Sequence, residues 1–354
     1  MQRVNGSIQH YDWGDSTAIA HLLGHEPDGR PEAELWFGTH RGAPSKLIDG
    51  RPLTAEVGEL PYLLKVLAAA RPLSLQVHPS AEQAAAGFAR ENAAGIPLDA
   101  PQRTYRDPYH KPEIMCALTR FEAMCGIAPL AQTERLLAEL GPAGTPLRTI
   151  LGHGGVDGVI AMLLHDRPAL TALLTAAAHH GDPRCRWLIK LSQQYPGDAS
   201  AALVLLMNYV DLQPGEAIFL GAGNLHAYLH GTGVEVMANS DNVVRCGLTS
   251  KHVDVDEVLR VVDSTPLDDP VIRPVPTPDG GARYDVPVAD FRVSRYDIDG
   301  SVGFVAHGAE LLLCTDGETV EVAQGECVLA SDGEHVELVG TATVFRVGSG
   351  RAIP

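Results

Sequence analysis

Hydrophobic and polar positions change rhythm twice along this chain. Up to about residue 125, short β-like runs alternate with turns, and 33–37, 73–77 and 114–118 are the predicted strands. Ser80 can N-cap the run AEQAAAGFARENAAG, so a helix is expected from there until Gly95 and Pro97 end it. From about 128 to 210 the period lengthens to that of helices. Leu130, Leu136, Leu137 and Leu140 fall on one face, and the stretch from Val159 reads as two helices parted near Pro168. Runs 184–194 and 199–210 add two more predicted helices, the second with Asp198 as its N-cap.

Beyond Pro214 the rhythm shortens again, and Gly, Asp and Pro punctuate the runs AIFLG, GVEVMA, FRVSRYDI, ELLLCTDG, ETVEVAQGECVLA, HVELVG and ATVFRVG. Short strands with closely spaced turn signals predict sandwiches or barrels. The phrase LQPGEAIFLGAGNLHAY returns in weaker form as TVEVAQGECVLASDGEHVELV, which points to two related jelly rolls, a duplicated cupin-like architecture. The expected fold is mainly β: two cupin-like jelly-roll (β-sandwich) domains with an inserted α-helical domain. The predicted boundaries are 1–127 and 211–264 for the two parts of the chemical unit, 128–210 for the insertion and 265–354 for the C-terminal unit. His307 and His335 are isolated in that last unit, so it is expected to pack without binding metal.

Composition narrows the classes. The net charge of −17 disfavours nucleic acid, which requires a basic surface, but two or three local cations can still hold one phosphate. Screening confines charges to about 8 Å at physiological salt. The apolar runs 63–70, with Lys65 inside it, and 201–207 are too short to cross a bilayer, and MQRVNGSIQHYDWGD lacks a signal-peptide core. A cytoplasmic monomer without a membrane partner is expected. Six cysteines stand singly with no C-x-x-C pair, so buried small hydrophobes are predicted, not a disulfide scaffold or a zinc ribbon.

Four segments concentrate reactive side chains. In LSLQVHPS, Gln76 and His78 are two apart on a strand and must share a face. In DPYHKPEIM, His110, Lys111 and Glu113 surround Pro112, which belongs at an edge or bulge. GAGNLHAY carries His226, and GVEVMANSDNVVRCGLTSK carries Glu235, Asp241, Asn242, Arg245 and Lys251. Each has a structural explanation alone: a hydrogen-bonded pair, a neutralised lysine, a surface arginine. A jelly roll gathers strands around one interior, however. Two imidazoles, a carboxylate and an amide oxygen drawn from these segments would make a zinc site.

The blocks SLQVHP, Tyr105-Arg-Asp107-Pro-Tyr-His-Lys-Pro-Glu113, GNLHAY and SDNVVRCGLTSK, in this order, resemble the signature blocks of type I phosphomannose isomerases. YDWGD and AELWFGTHRGAPS resemble that family's N-terminal segment, so the likeness runs from about residue 8 to residue 260. The helical segment is shorter than in many members. The resemblance implies one zinc per chain, held by Gln76, His78, Glu113 and His226. It implies active-site roles for Lys111, Arg245 and His110, phosphate binding by Lys251 and Ser74, an acidic site residue at Glu235 and a pocket wall at Trp13. The implied reaction interconverts mannose 6-phosphate and fructose 6-phosphate through a cis-enediol(ate), with zinc acting on the carbonyl as a Lewis acid. Arg245 stays protonated and would stabilise negative charge, so the base would be Glu235, Lys111 or a water on the metal, and His110 would open the sugar ring. A non-catalytic sugar-binding bicupin, an iron dioxygenase of the cupin fold and an isomerase of another sugar are the alternatives. Gln76 as a ligand and Lys251 as a phosphate cation fit isomerisation of a phosphorylated sugar better than the first two.

Overall fold

The computed structural model describes residues 1–350, which leaves the last four residues of the expected 265–354 unit outside the described chain. Two antiparallel β units and a helical layer make up the fold. The first sheet has eleven strands, and the thirteen-residue strand His226–Ala238 is its spine. Its C-terminal half, from Gly231 on, pairs with Tyr62–Ala69 on one side and Glu113–Ala117 on the other. Its N-terminal half pairs with Phe121–Ile127 and touches Leu75–Val77, which in turn pairs with Val244–Gly247. One strand therefore belongs to both walls of a jelly roll. The bend falls at Gly231 (φ 124°), where a Cβ would lie 2.6 Å from the Arg120 carbonyl oxygen, so only glycine lets the walls meet.

Both outer faces of this roll are apolar and covered. Leu64, Val66, Ile114, Val234 and Val236 pack with Phe291, Val293, Leu311, Leu313, Phe345 and Val347 of the C-terminal sheet. Leu75, Val77, Met124, Ala227, Leu229 and Val244 pack against the helical layer. Period two then sends the intervening residues into the roll. That is why Tyr62–Ala69, buried at every position, reads as an apolar run interrupted only by Lys65, which it can aim inward.

The C-terminal sheet has eight strands, dominated by the fourteen-residue ladder of Arg292–Val305 with His335–Gly348. HVELVG and ATVFRVG, expected as two strands, are one: Gly340 (φ 154°) carries the chain through without a turn. Of the long run ETVEVAQGECVLA only Cys327–Ala330 forms a separate strand, and its opening residues end the preceding strand Glu310–Thr319 and form the turn after it. Strands Gln2–Asn5 and Lys46–Leu47 complete this sheet beside Cys327–Ala330, so the N-terminus is threaded into the C-terminal unit. Conversely, Val271–Ile272 pairs with Ala217–Leu220 of the first sheet.

The helix at Ala81–Ala93 starts as predicted. Ser80 Oγ accepts from Gln83 N–H at 3.1 Å and Gln83 Oε1 accepts from Ser80 N–H at 2.9 Å, a reciprocal capping box. Leu130–Glu139, Thr171–Ala177 and Pro183–Gln194 also match the periodic runs. The predicted helix over 199–210 does not form as one. Ala199–Leu206 is a 3-10 helix buried on every side, and Met207–Leu212 extends to pair with Phe121–Ile127. Asp198 does cap it, accepting from Ser200 N–H. Helix Thr145–Ala161, rich in glycine, carries too weak a periodicity to be marked in the sequence. Together with the turn that follows, 145–166 does reach spanning length, with mean hydropathy 1.3 over its best window, contrary to expectation. Gly155 (φ 63°) breaks it, and Leu147, Leu151, Val156, Val159 and Ile160 pack into the helical layer as a core element. All six cysteines are free and buried, as their apolar surroundings predict.

Candidate metal centre and active site

Alternation on five strands builds the interior. Lys65 and Glu235 are direct register partners, as are Gln76 and His226, and Gln76 and Arg245. Directly opposed residues project to the same side. Lys65, Glu235, Gln76 and Arg245 line a cavity of about 1050 Å³ together with Glu113, Lys111, Trp13 and Ser74.

At its floor Glu113 meets the fully buried His78 and His226, and the three place one potential ligand atom each within 4.8 Å of one another. His78 Nε2 is 3.4 Å and His226 Nε2 is 3.7 Å from Glu113 Oε2. The other nitrogen of each ring is committed to the backbone. His78 Nδ1 lies 2.8 Å from the Asn242 carbonyl oxygen, and His226 Nδ1 lies 2.9 Å from that of Asn224. A carbonyl only accepts, so both Nδ1 atoms carry the proton and both Nε2 lone pairs face the cluster. His78 Nε2 and Glu113 Oε2 are buried with no hydrogen-bond partner among the described residues, an arrangement that costs free energy unless something else satisfies them. A tetrahedral cation preferring N and O donors fits this need. The Gln76 amide lies 3.2 Å from His226 Nε2, and a half-turn of the amide brings its oxygen to the same place as fourth donor.

Protonation favours ligation. Burial works to raise the Glu113 pKa, but Lys111 and the two imidazoles outweigh it and hold the carboxyl well below its usual range. Lys111 Nζ is 3.0 Å from Glu113 Oε1. Desolvation and the nearby His78 push His226 down to about 4, so it is neutral at physiological pH.

Above the floor stands a buried network. Lys65 Nζ donates to Glu235 Oε2 at 2.8 Å and lies 3.7 Å from Glu34, while Tyr228 donates to Glu235 Oε1 at 2.9 Å. Desolvation disfavours the Lys65 charge, but Glu235, Glu34 and Glu113 outweigh it and keep the ammonium protonated. Burial raises the Glu235 pKa and Lys65 offsets part of that rise. Lys65→Met is expected to destabilise the protein by about 3–5 kcal/mol, because it strands buried carboxylates without their cation. Adding Glu235→Gln should recover part of the loss in urea unfolding, and a near-neutral single variant would show that the network is not coupled.

Three cations at the cavity wall have no carboxylate or hydrogen-bond partner for their side chains among the described residues: Arg106, Arg245 and Lys251. In a chain of net charge −17 that is a distinctive arrangement, since most of its other arginines are ion-paired. Desolvation and then mutual repulsion lower the pKa of Arg245 and Lys251, the response of a site built for an anion. Trp13 stacks on Tyr11, with centroids 5.6 Å apart, and forms a wall beside Ser74.

His110 departs from expectation. Its Nε2 lies 3.0 Å from Asp290 of the C-terminal unit, which raises its pKa, and the residue does not line the cavity. Successive residues of an extended segment point opposite ways, so Lys111 facing inward turns His110 outward. Ring opening is therefore not assigned to it. Tyr228 and Arg106 carry no site signal in the sequence, Lys65 shows only as a charge inside an apolar run, and Asn242 stands there only as one polar residue of its segment. Asn242 is fully buried. It accepts from Arg106 N–H at 2.7 Å, donates to the Asp107 and Tyr109 carbonyls and lends its own carbonyl to His78.

The type I phosphomannose isomerase catalytic-domain model matches residues 1–130. The mannose-6-phosphate isomerases of Salmonella typhimurium and Escherichia coli are each 37% identical to this chain, covering 99% of it and 98% of their own length. A crystal structure of the Salmonella typhimurium enzyme bound to fructose 6-phosphate and zinc superposes with a TM-score of 0.89 at 34% identity, covering 99% of each chain.

Proposed function

This chain belongs to the type I phosphomannose isomerase family, and from that premise we infer that it is a zinc-dependent aldose–ketose isomerase interconverting mannose 6-phosphate and fructose 6-phosphate. The observation that carries this reading is the pair of buried ligand atoms, His78 Nε2 and Glu113 Oε2, and the nearby cations Arg106, Arg245 and Lys251, all without a partner among the described residues. A bare sugar-binding module would need neither.

We assign Gln76, His78, Glu113 and His226 to the metal. When bound, zinc supplies Lewis-acid polarisation of the sugar carbonyl. The chain's own groups do the rest. Isomerisation moves a proton between adjacent carbons, and the charge that develops on oxygen is met by Arg245, which shares the cavity-facing side of its strand pair with Gln76. Glu235 and Lys111 are the cavity groups able to carry the proton. Glu235 keeps a free lone pair on each oxygen beyond its bonds to Lys65 and Tyr228, and its raised pKa suits reversible protonation. Lys251, Arg106 and Ser74 hold the phosphate, whose binding energy orients the reacting carbons. Trp13 closes one side and helps exclude water.

The C-terminal unit, with Gln2–Asn5 and Lys46–Leu47 lent to its sheet, is assigned to burying the outer face of the catalytic roll. A monomer in the cytoplasm completes the proposal, with no polyanionic partner, since the net charge of −17 repels one. The test is direct: purified, zinc-loaded protein supplied with mannose 6-phosphate should form fructose 6-phosphate, and incubation without product would refute the reading.

A further inference from the structure

The turn that follows strand Val244–Gly247 carries Lys251 to the cavity rim, and its backbone is strained. Leu248 is buried and sits at φ 54°, a left-handed conformation that a leucine disfavours; only Arg167 among the other described non-glycine residues shares a positive φ. The preceding Gly247 (φ 147°) presses against Ser200 so closely that a Cβ would stand 1.9 Å from its Oγ. Strain of this kind persists only where surrounding groups over-determine it. Here the determinants come from the end of the helical insertion. Asp198 Oδ2 accepts from Leu248 N–H at 2.9 Å, Ser200 Oγ accepts from the same N–H at 3.2 Å, and Asp198 Oδ1 accepts from Ser200 N–H at 3.0 Å.

Asp198 itself lines the cavity, yet both its oxygens are committed to backbone N–H groups. A carboxylate repels a sugar phosphate, so direct contact with that group is not its use. We propose that Asp198 is a positioning residue for substrate phosphate: by locking Leu248 in its left-handed turn, it fixes where Lys251 stands. The helical insertion thereby sets the geometry of the phosphate end of a site whose chemistry lies on the β strands. This rests on the reading of Lys251 as a phosphate-binding residue.

The test compares four full-length, zinc-loaded forms: wild type, Asp198→Ala, Lys251→Ala and the double variant. For each, KM and kcat with mannose 6-phosphate, the inhibition constant of inorganic phosphate, zinc content and Tm are measured. Asp198→Ala should raise KM and the phosphate inhibition constant together by about tenfold, with kcat within about threefold of wild type and zinc retained. Lys251→Ala should raise both constants by about a hundredfold. The double variant should match Lys251→Ala alone, because Asp198 acts through the lysine that has gone. Asp198→Asn, which keeps one acceptor oxygen, should fall between wild type and Asp198→Ala, and it replaces the alanine variant if that chain does not fold. Additive effects in the double variant, a fall in kcat with KM and phosphate inhibition unchanged, or wild-type constants in the Asp198 variants would overturn the inference. Wild-type constants in Lys251→Ala would instead overturn the phosphate reading itself, and the inference with it.

Discussion

His78→Ala and Glu113→Gln should each purify without stoichiometric zinc and lose about three orders of magnitude or more in kcat. The expectation follows from the floor of the cavity. Three donors meet within 4.8 Å, and each imidazole is held in the right tautomer by a backbone carbonyl. Removing one anionic or imidazole donor from a set of four leaves too little binding free energy to retain the ion. The Lewis acid that leaves with it contributes several kcal/mol to the barrier. Gln76→Ala should weaken zinc less, since a neutral amide oxygen is the poorest donor of the set. Emission spectrometry of the dialysed proteins, read beside kcat, checks the order. Full zinc occupancy in Glu113→Gln would remove that carboxylate from the ligand set.

The second large effect is expected at Arg245. Its strand pairs with Leu75–Val77 so that Arg245 stands opposite Gln76 on the cavity side, and no carboxylate among the described residues claims its guanidinium. A fixed cation aimed at charge that appears only in the transition state changes kcat more than KM. Arg245→Ala should therefore lower kcat by about a hundredfold to a thousandfold with zinc retained. Arg245→Lys should recover part of that. Steady-state kinetics on metal-quantified protein decides it. A wild-type kcat in Arg245→Ala, or a pure rise in KM, would move the residue to the phosphate end beside Lys251 and Arg106.

The sequence carried the proposed metal-binding residues more clearly than the surroundings that orient them. LSLQVHPS obeys period two, and the face shared by Gln76 and His78 in the sequence is the face they share in the fold. Lys65 lies in a strand buried on both sides, where alternation is erased because apolar residues fill each face. Its partner Glu235 is 170 residues away, and only register brings them together. Distance in sequence likewise hid the contribution of Gln2–Asn5 to the C-terminal sheet and the Asp290 that claims His110. Where helix was expected at 199–210, the apolar residues serve two elements in succession. Burial on every side removes the periodic signal that separates a 3-10 turn from a strand. The strained turn at Leu248 left no trace in residue type, since a leucine there reads as ordinary core.

The most direct test of the whole account is a zinc titration of chelator-stripped, refolding-free protein, following conversion of mannose 6-phosphate to fructose 6-phosphate. The account predicts negligible turnover at zero metal and a rate that climbs linearly with added zinc. It predicts a break at one equivalent per chain and no break in a His78→Ala control. Full turnover by the metal-free chain, or a rate indifferent to zinc through one equivalent, would contradict it.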